Sequence, residues 1–381
     1  MPMGSFLSSW FIPGVVVFAL AVGPATPQRR VSEQQYRDGM RKGLSTVKTI
    51  TEPQKHHPLQ FAVNLFFAHE GVIEHVDLDV LTKMVDAFRD LGIDRIDINM
   101  GLFPWKDKDQ AQIAKYDAII RHIRGAGLQL AINPQYTPVR HRVSSLEEWT
   151  TAALPVYEEI ARRYKPEIFV TIHEPTTMNK RMGAEASAAA WRDFARTSAV
   201  AVKKVSPRTR CGAGGLYTEF EHFREFASLP ELDVLTLNIH GLTGLKTYNQ
   251  MVKIARGAGK GVYIEETWRP AHYVRQKWWK RDTLETISGT GIGLRSFEQL
   301  DIEWLETMAQ YASVLEMEAV TPFWTQTFFV YVPEGGHAFR GDYNQRVMEA
   351  VRRGDRTETY HAVKRLIQRY GANEFNKKKS R

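Results

Sequence analysis

Eight short apolar stretches, spaced along a chain of 381 residues with helical periodicity between them, constrain the fold more than any other feature. They lie near 60–66, 94–99, 128–133, 167–173, 208–213, 232–239, 261–266 and 318–324. Most are near-continuous apolar runs, the mark of parallel strands buried on both faces. Between them, Val80, Leu81, Met84, Val85, Phe88 and Leu91 fall on one helical stripe, as do Ile113, Tyr116, Ile119, Ile120 and Ile123. Gly92, Gly125, Gly127 and Gly259 punctuate helix ends. Ser145-Leu146-Glu147-Glu148 reads as a capping box opening a third helix, with Pro155 a point of interruption. Eight strands alternating with helices predict a (β/α)8 barrel in a single catalytic domain. A doubly wound open sheet is the alternative, but no Gly-rich phosphate turn follows the first strand.

Flanking segments differ in kind. Trp10 to Val22 is almost wholly apolar, and Ala19-Leu20-Ala21 offers small residues at cleavage spacing. This predicts a signal peptide or N-terminal anchor over 1–23, although residues 1–10 lack Lys and Arg. Residues 24–57 are polar and read as a linker or surface arm, 58–372 as the barrel, and 373–381 as a basic tail. The expected location is secreted or periplasmic, with membrane contact only through an uncleaved N-terminal segment. Cys211, the single cysteine, excludes an internal disulfide and reads as a small core residue.

The net charge of +8 is largely dispersed, and no P-loop, zinc-finger or RNA-binding signature accompanies it. No nucleic-acid partner is expected. Arg275, Lys277, Lys280 and Arg281 surround Trp278-Trp279 in a long excursion from Arg269 to about Gln299. That excursion reads as an active-site loop, and its charge suits an acidic saccharide.

Two strands end abruptly in carboxylate. Ile168-Phe169-Val170-Thr171-Ile172 leads into His173-Glu174-Pro175, and Gly261-Val262-Tyr263-Ile264 leads into Glu265-Glu266-Thr267-Trp268. A barrel places its chemistry at the C-terminal ends of its strands. Two carboxylates delivered there from different strands match the needs of glycosidic bond cleavage. Glu265 and Glu266 are adjacent, so a regular strand sends them to opposite faces. Asn64, Asn99, Asn133, Asn238 and His240 sit at expected strand ends, where amides and imidazoles suit hydroxyl recognition.

His173-Glu174-Pro175 resembles the Asn-Glu-Pro of clan A retaining glycoside hydrolases, in which this glutamate is the general acid/base. Ile264-Glu265-Glu266-Thr267-Trp268 is similar to the segment bearing that clan's nucleophile. The resemblance implies Glu174 as acid/base, Glu266 as nucleophile, a β-glycan substrate and no cofactor. It also implies Trp324, in Pro322-Phe323-Trp324-Thr325, as the aromatic floor of a sugar site. His173 stands where the clan has the Asn that contacts the sugar 2-hydroxyl. His173, Asn238, His240, Glu265 and Trp268 then contact substrate or tune the two carboxylates. Phe103, Trp105, Tyr136, Tyr217 and Trp278 are candidates for further subsites.

Two other readings stay open. His69-Glu70, Asp97, His173-Glu174, His240 and Glu265-Glu266 also form a divalent-metal set, as in a sugar isomerase-like barrel. The third reading is a carbohydrate-binding barrel without turnover.

Overall fold

The computed structural model describes residues 33–65, 73–135, 143–268, 295–332 and 340–372. Residues 269–294 of the excursion, with Trp278, lie outside them, as do His69-Glu70, Tyr136 and both termini, while its end forms a short 3-10 turn, Arg295–Phe297, and opens the helix Glu298–Val314.

Eight parallel strands close into a barrel in chain order. They are β1 (Gln60–Asn64), β2 (Arg95–Gly101), β3 (Gln129–Gln135), β4 (Ile168–His173), β5 (Arg210–Gly215), β6 (Val234–Ile239), β7 (Gly261–Thr267) and β8 (Ala319–Pro322). Closure comes from β1 pairing with β8, Gln60 against Ala319 and Phe61 against Val320. The fold is the expected (β/α)8 barrel. β2 and β3 run further than the apolar pattern implied. Asn99 and Asn133 therefore pair inside the sheet, two residues short of its rim, rather than ending their strands.

The helices follow their stripes. Leu78–Leu91 buries Val80, Leu81, Met84, Val85, Phe88 and Leu91, and Gly92 ends it in the left-handed region at φ 94°. Gln110–Gly125 is capped by Asp109, whose side chain accepts the amides of Ala111 and Gln112. Ser145 caps Leu146–Tyr164, but Glu148 reaches the amide of Ser144 rather than that of Ser145. Pro155 does not end this helix. Trp149, Ala153, Val156, Tyr157 and Ile160 bury one face of it, and that packing outweighs the lost amide bond.

Glu33–Thr51 is a helix within the polar segment 24–57. It buries Leu44 and Val47 and bonds Lys48 Nζ to Glu306 on the helix Glu298–Val314. A narrow apolar face in a polar stretch carries little signal until a partner helix covers it.

One buried ion pair sits among the apolar residues Ala131, Ile168, Val170, Val234, Tyr263 and Ala319. Arg95, 1% exposed, pairs with Asp97 at 2.6 and 3.0 Å and lies 4.4 Å over the Tyr263 ring. Charges this deep persist because each has a partner. Asp97, expected near a strand end, sits mid-strand in β2 and is committed to Arg95. Cys211 is buried, and burial pushes its thiol up to about 12, as befits an inert core residue.

Candidate active site

The C-terminal ends of β3, β4, β6 and β7 converge on three carboxylates and two imidazoles. His173 is the hub. Its Nδ1 lies 3.3 Å from Glu265 Oε2, and its Nε2 lies 3.2 Å from Glu266 Oε1. His240 Nε2 is 3.3 Å from the other oxygen of Glu266. Asn133 Nδ2 donates to Glu265 Oε1 at 2.6 Å.

Adjacent Glu265 and Glu266 thus address one imidazole, contrary to the opposite-face expectation. The cause is a break in register. Leu237 pairs with Ile264, but Asn238 pairs with Glu266, leaving Glu265 as the extra residue. A bulge of this kind re-aims a side chain that regular pleating would turn away.

Glu174 follows β4 in the left-handed region, at φ 51° and ψ 71°, directly before Pro175 opens the helix Pro175–Met182. A non-glycine residue there costs about 1–3 kcal/mol and persists only where its surroundings hold it. Its amide donates to Gly214 O of β5. Both carboxylate oxygens accept hydrogen bonds, Oε1 from Asn238 Nδ2 and Oε2 from Thr177 Oγ1, each at 2.8 Å. Asn238 Nδ2 is also 3.0 Å from His173 Nε2. The amide NH2 carries two hydrogens, so its bond to Glu174 stands whichever tautomer His173 adopts. Tyr248 fixes Asn238 by donating its hydroxyl to the Asn238 carbonyl.

Burial opposes a charge on His173, but Glu266 and Glu265 outweigh it and hold the imidazole well above its usual range. Burial likewise pushes the Glu266 carboxyl up. The His173 charge and hydrogen bonds from His173 and His240 overcome it and hold Glu266 at about 2. These groups titrate as a unit. A carboxyl lowered by folding stabilises the fold above its unfolded value of 4.5 and loses that contribution as pH falls to about 2. The raised His173 contributes below 6.5 and loses its share as pH climbs through its folded value. Urea midpoints of wild type and Glu266→Gln are therefore expected to differ most between pH 4.5 and 6.5 and to converge as pH falls from 4.5. A constant gap across the acid range would show that Glu266 is not held ionised.

Beside this cluster stands an aromatic wall. Trp268 meets Trp324 edge-on at 5.1 Å, stacks on Phe323 at 6.2 Å, and lies 5.3 Å from His240. Trp324 lies just beyond β8, whose last residue is Pro322. Asn64 is buried at the end of β1, where its carbonyl accepts the Thr325 hydroxyl. Asn99 faces Asn133 across the β2–β3 pair. Trp105 belongs to the core, packed 4.9 Å from Tyr116, and Tyr217 packs against Tyr248. Sequence reasoning did not find Thr177, Phe323 or Glu219, since a single residue in a short helix or connection carries no periodic signal. The Gly214-Gly215 pair ending β5, which marks a close approach of groups, is the one hint of Glu219.

One oxygen each of Glu174 and Glu266 and one nitrogen of His173 lie within 4.8 Å of one another. The arrangement can place an acid and a nucleophile on either side of one bond, and the same three groups could bridge a divalent ion.

No family model matches the sequence, and no curated protein matches it. Solved structures do match in fold. A GH5_18 protein from Streptomyces cattleya, in complex with GlcNAc, is 14% identical over 84% of this chain and 90% of its own, with a TM-score of 0.53. A family 1 β-glucosidase from Thermotoga maritima is 9% identical over 83% of this chain and 98% of its own, at a TM-score of 0.54. An exo-β-1,4-mannosidase from Opitutaceae bacterium strain TAV5 is 13% identical over 80% of this chain and 60% of its own, at 0.53. At these identities the likeness is one of fold: this chain shares its barrel with glycoside hydrolases.

Proposed function

We propose that this protein is a retaining glycoside hydrolase of the clan A type, cleaving β-linked poly- or oligosaccharide. The approach of Glu174 and Glu266 carries the reading, with oxygens within 4.8 Å at the ends of β4 and β7. Retaining enzymes hold their carboxyl groups about 5–5.5 Å apart, whereas inverting ones leave room for a water between. Glu266, ionised beside His173 and His240, attacks the anomeric carbon. Glu174 protonates the departing oxygen and then takes a proton from the water that releases the sugar. Thr177 and Asn238 fix the Glu174 carboxyl, and the indoles of Trp268 and Trp324 offer apolar area to a sugar face. No cofactor takes part. Export is part of the proposal and rests on the apolar run Trp10 to Val22.

One observation favours a second reading, a metal-dependent sugar isomerase-like enzyme. Glu265 behind His173 Nδ1 resembles the carboxylate that orients a metal-binding imidazole. Against it, Asn238 and Thr177 already occupy the two oxygens of Glu174. Asp97, another candidate ligand, is taken up by Arg95.

Intact mass after incubation with 2-deoxy-2-fluoro β-glucosides, mannosides and galactosides tests both. Wild type is expected to gain one fluorosugar on the peptide 261–268, Glu266→Gln none, and prior EDTA treatment no change. Turnover lost to EDTA and restored by magnesium or manganese would replace the glycosidase reading with the metal one.

A further inference from the structure

Glu219 lies in the loop after β5, only 2% exposed, and no step above uses it. Its carboxylate accepts three hydrogen bonds. Oε1 takes both the amide and the hydroxyl of Thr176 at 2.6 Å, and Oε2 takes the amide of Leu216 at 2.7 Å. Thr176 is two residues beyond Glu174, in the first turn of the helix that follows β4. A buried carboxylate is costly unless such donors satisfy it, and here they tie two βα loops together.

The space for this carboxylate exists because residue 215 lacks a side chain. A Cβ there would stand 2.0 Å from Glu219 Oε2 and 3.5 Å from the Cα of Glu174. The carboxylate, the bare Gly215 backbone and the Glu174 backbone therefore pack as one unit. Gly214 is equally crowded, its missing Cβ falling 2.0 Å from Thr236 O, while its own carbonyl accepts the Glu174 amide. The strained Glu174 backbone is held from both sides, by β5 through Gly214 and by Glu219 through Thr176.

We propose that Glu219 is a positioning residue for Glu174, clamping the turn after β4 so that the Glu174 carboxyl meets the leaving-group oxygen. The proposal rests on the reading of Glu174 as the acid. Misplacing an acid hurts substrates in proportion to their need for a proton, whereas a general loss of structure hurts all alike.

The test compares kcat/KM for phenyl and 2,4-dinitrophenyl β-glucosides and β-mannosides in wild type, Glu174→Ala, Glu219→Gln and Gly215→Ala. Glutamine keeps the shape of Glu219 but turns an NH2 towards a donor, and alanine at 215 displaces the carboxylate from the other side. Both variants are expected to lower the phenyl-to-dinitrophenyl ratio about tenfold or more, in the same direction as Glu174→Ala. A ratio equal to wild type in both, beside a shifted ratio in Glu174→Ala, would overturn the clamp and leave the acid assignment standing. No shift in Glu174→Ala would overturn the acid assignment. A crystal structure of Glu219→Gln then decides the clamp alone: Glu174 out of the left-handed region, or parted from Asn238, supports it, and an unmoved Glu174 overturns it.

Discussion

Glu266→Ala is expected to lower kcat/KM on every β-glycoside by on the order of 10⁴-fold or more, because the first displacement loses its nucleophile. At 1.36 kcal/mol per factor of ten, that is a barrier increase of about 5 kcal/mol. Azide should restore part of the rate on 2,4-dinitrophenyl β-glycosides, entering the space the carboxylate leaves. One displacement replaces two, so the product is an α-glycosyl azide, identified by NMR of its anomeric proton. The adjacent Glu265 makes this decisive. Glu265 touches His173 and Asn133 rather than His240, so Glu265→Gln should slow turnover yet still accumulate the fluorosugar adduct. An α-azide from a Glu265 variant, with Glu266→Gln only mildly impaired, would exchange their roles.

Glu174→Ala is expected to separate substrates by leaving group. Positioned acid catalysis contributes about 10²–10⁴-fold, so unactivated oligosaccharides should lose that much while dinitrophenyl glycosides keep most of their glycosylation rate. Hydrolysis of the intermediate then becomes limiting, since the water has lost its base. Azide, which needs no base, should raise the steady-state rate and give a β-glycosyl azide, retained because two displacements have occurred. Opposite anomers from the two variants would assign each carboxylate independently of sequence resemblance. The same anomer from both would sink the double-displacement mechanism.

The barrel was legible from sequence because its strands are short apolar runs and its helices carry clear stripes. All eight strands lie within a few residues of the expected positions. The ends were less legible. β2 and β3 continue through Asn99 and Asn133 to Gly101 and Gln135, since a barrel interior accepts polar side chains that find partners. The helix Glu33–Thr51 was hidden because its apolar face is narrow and gains meaning only against the helix Glu298–Val314. Of the site, Glu174 and Glu266 stood out as carboxylates ending apolar runs. Glu219 did not, being one more polar residue in a loop.

By itself the sequence determined the repeating unit, the closed parallel barrel, and which strands bring carboxylates to its mouth, because apolar periodicity is a local property that burial reads directly. Only the tertiary structure decided how those groups meet. A register break between β6 and β7 turns Glu265 and Glu266 onto the same imidazole. Glu219 and the bare backbone of Gly215 brace Glu174 in a conformation its own residue type disfavours. Such features depend on contacts between residues far apart in the chain, each of which is unremarkable until its partner is in place.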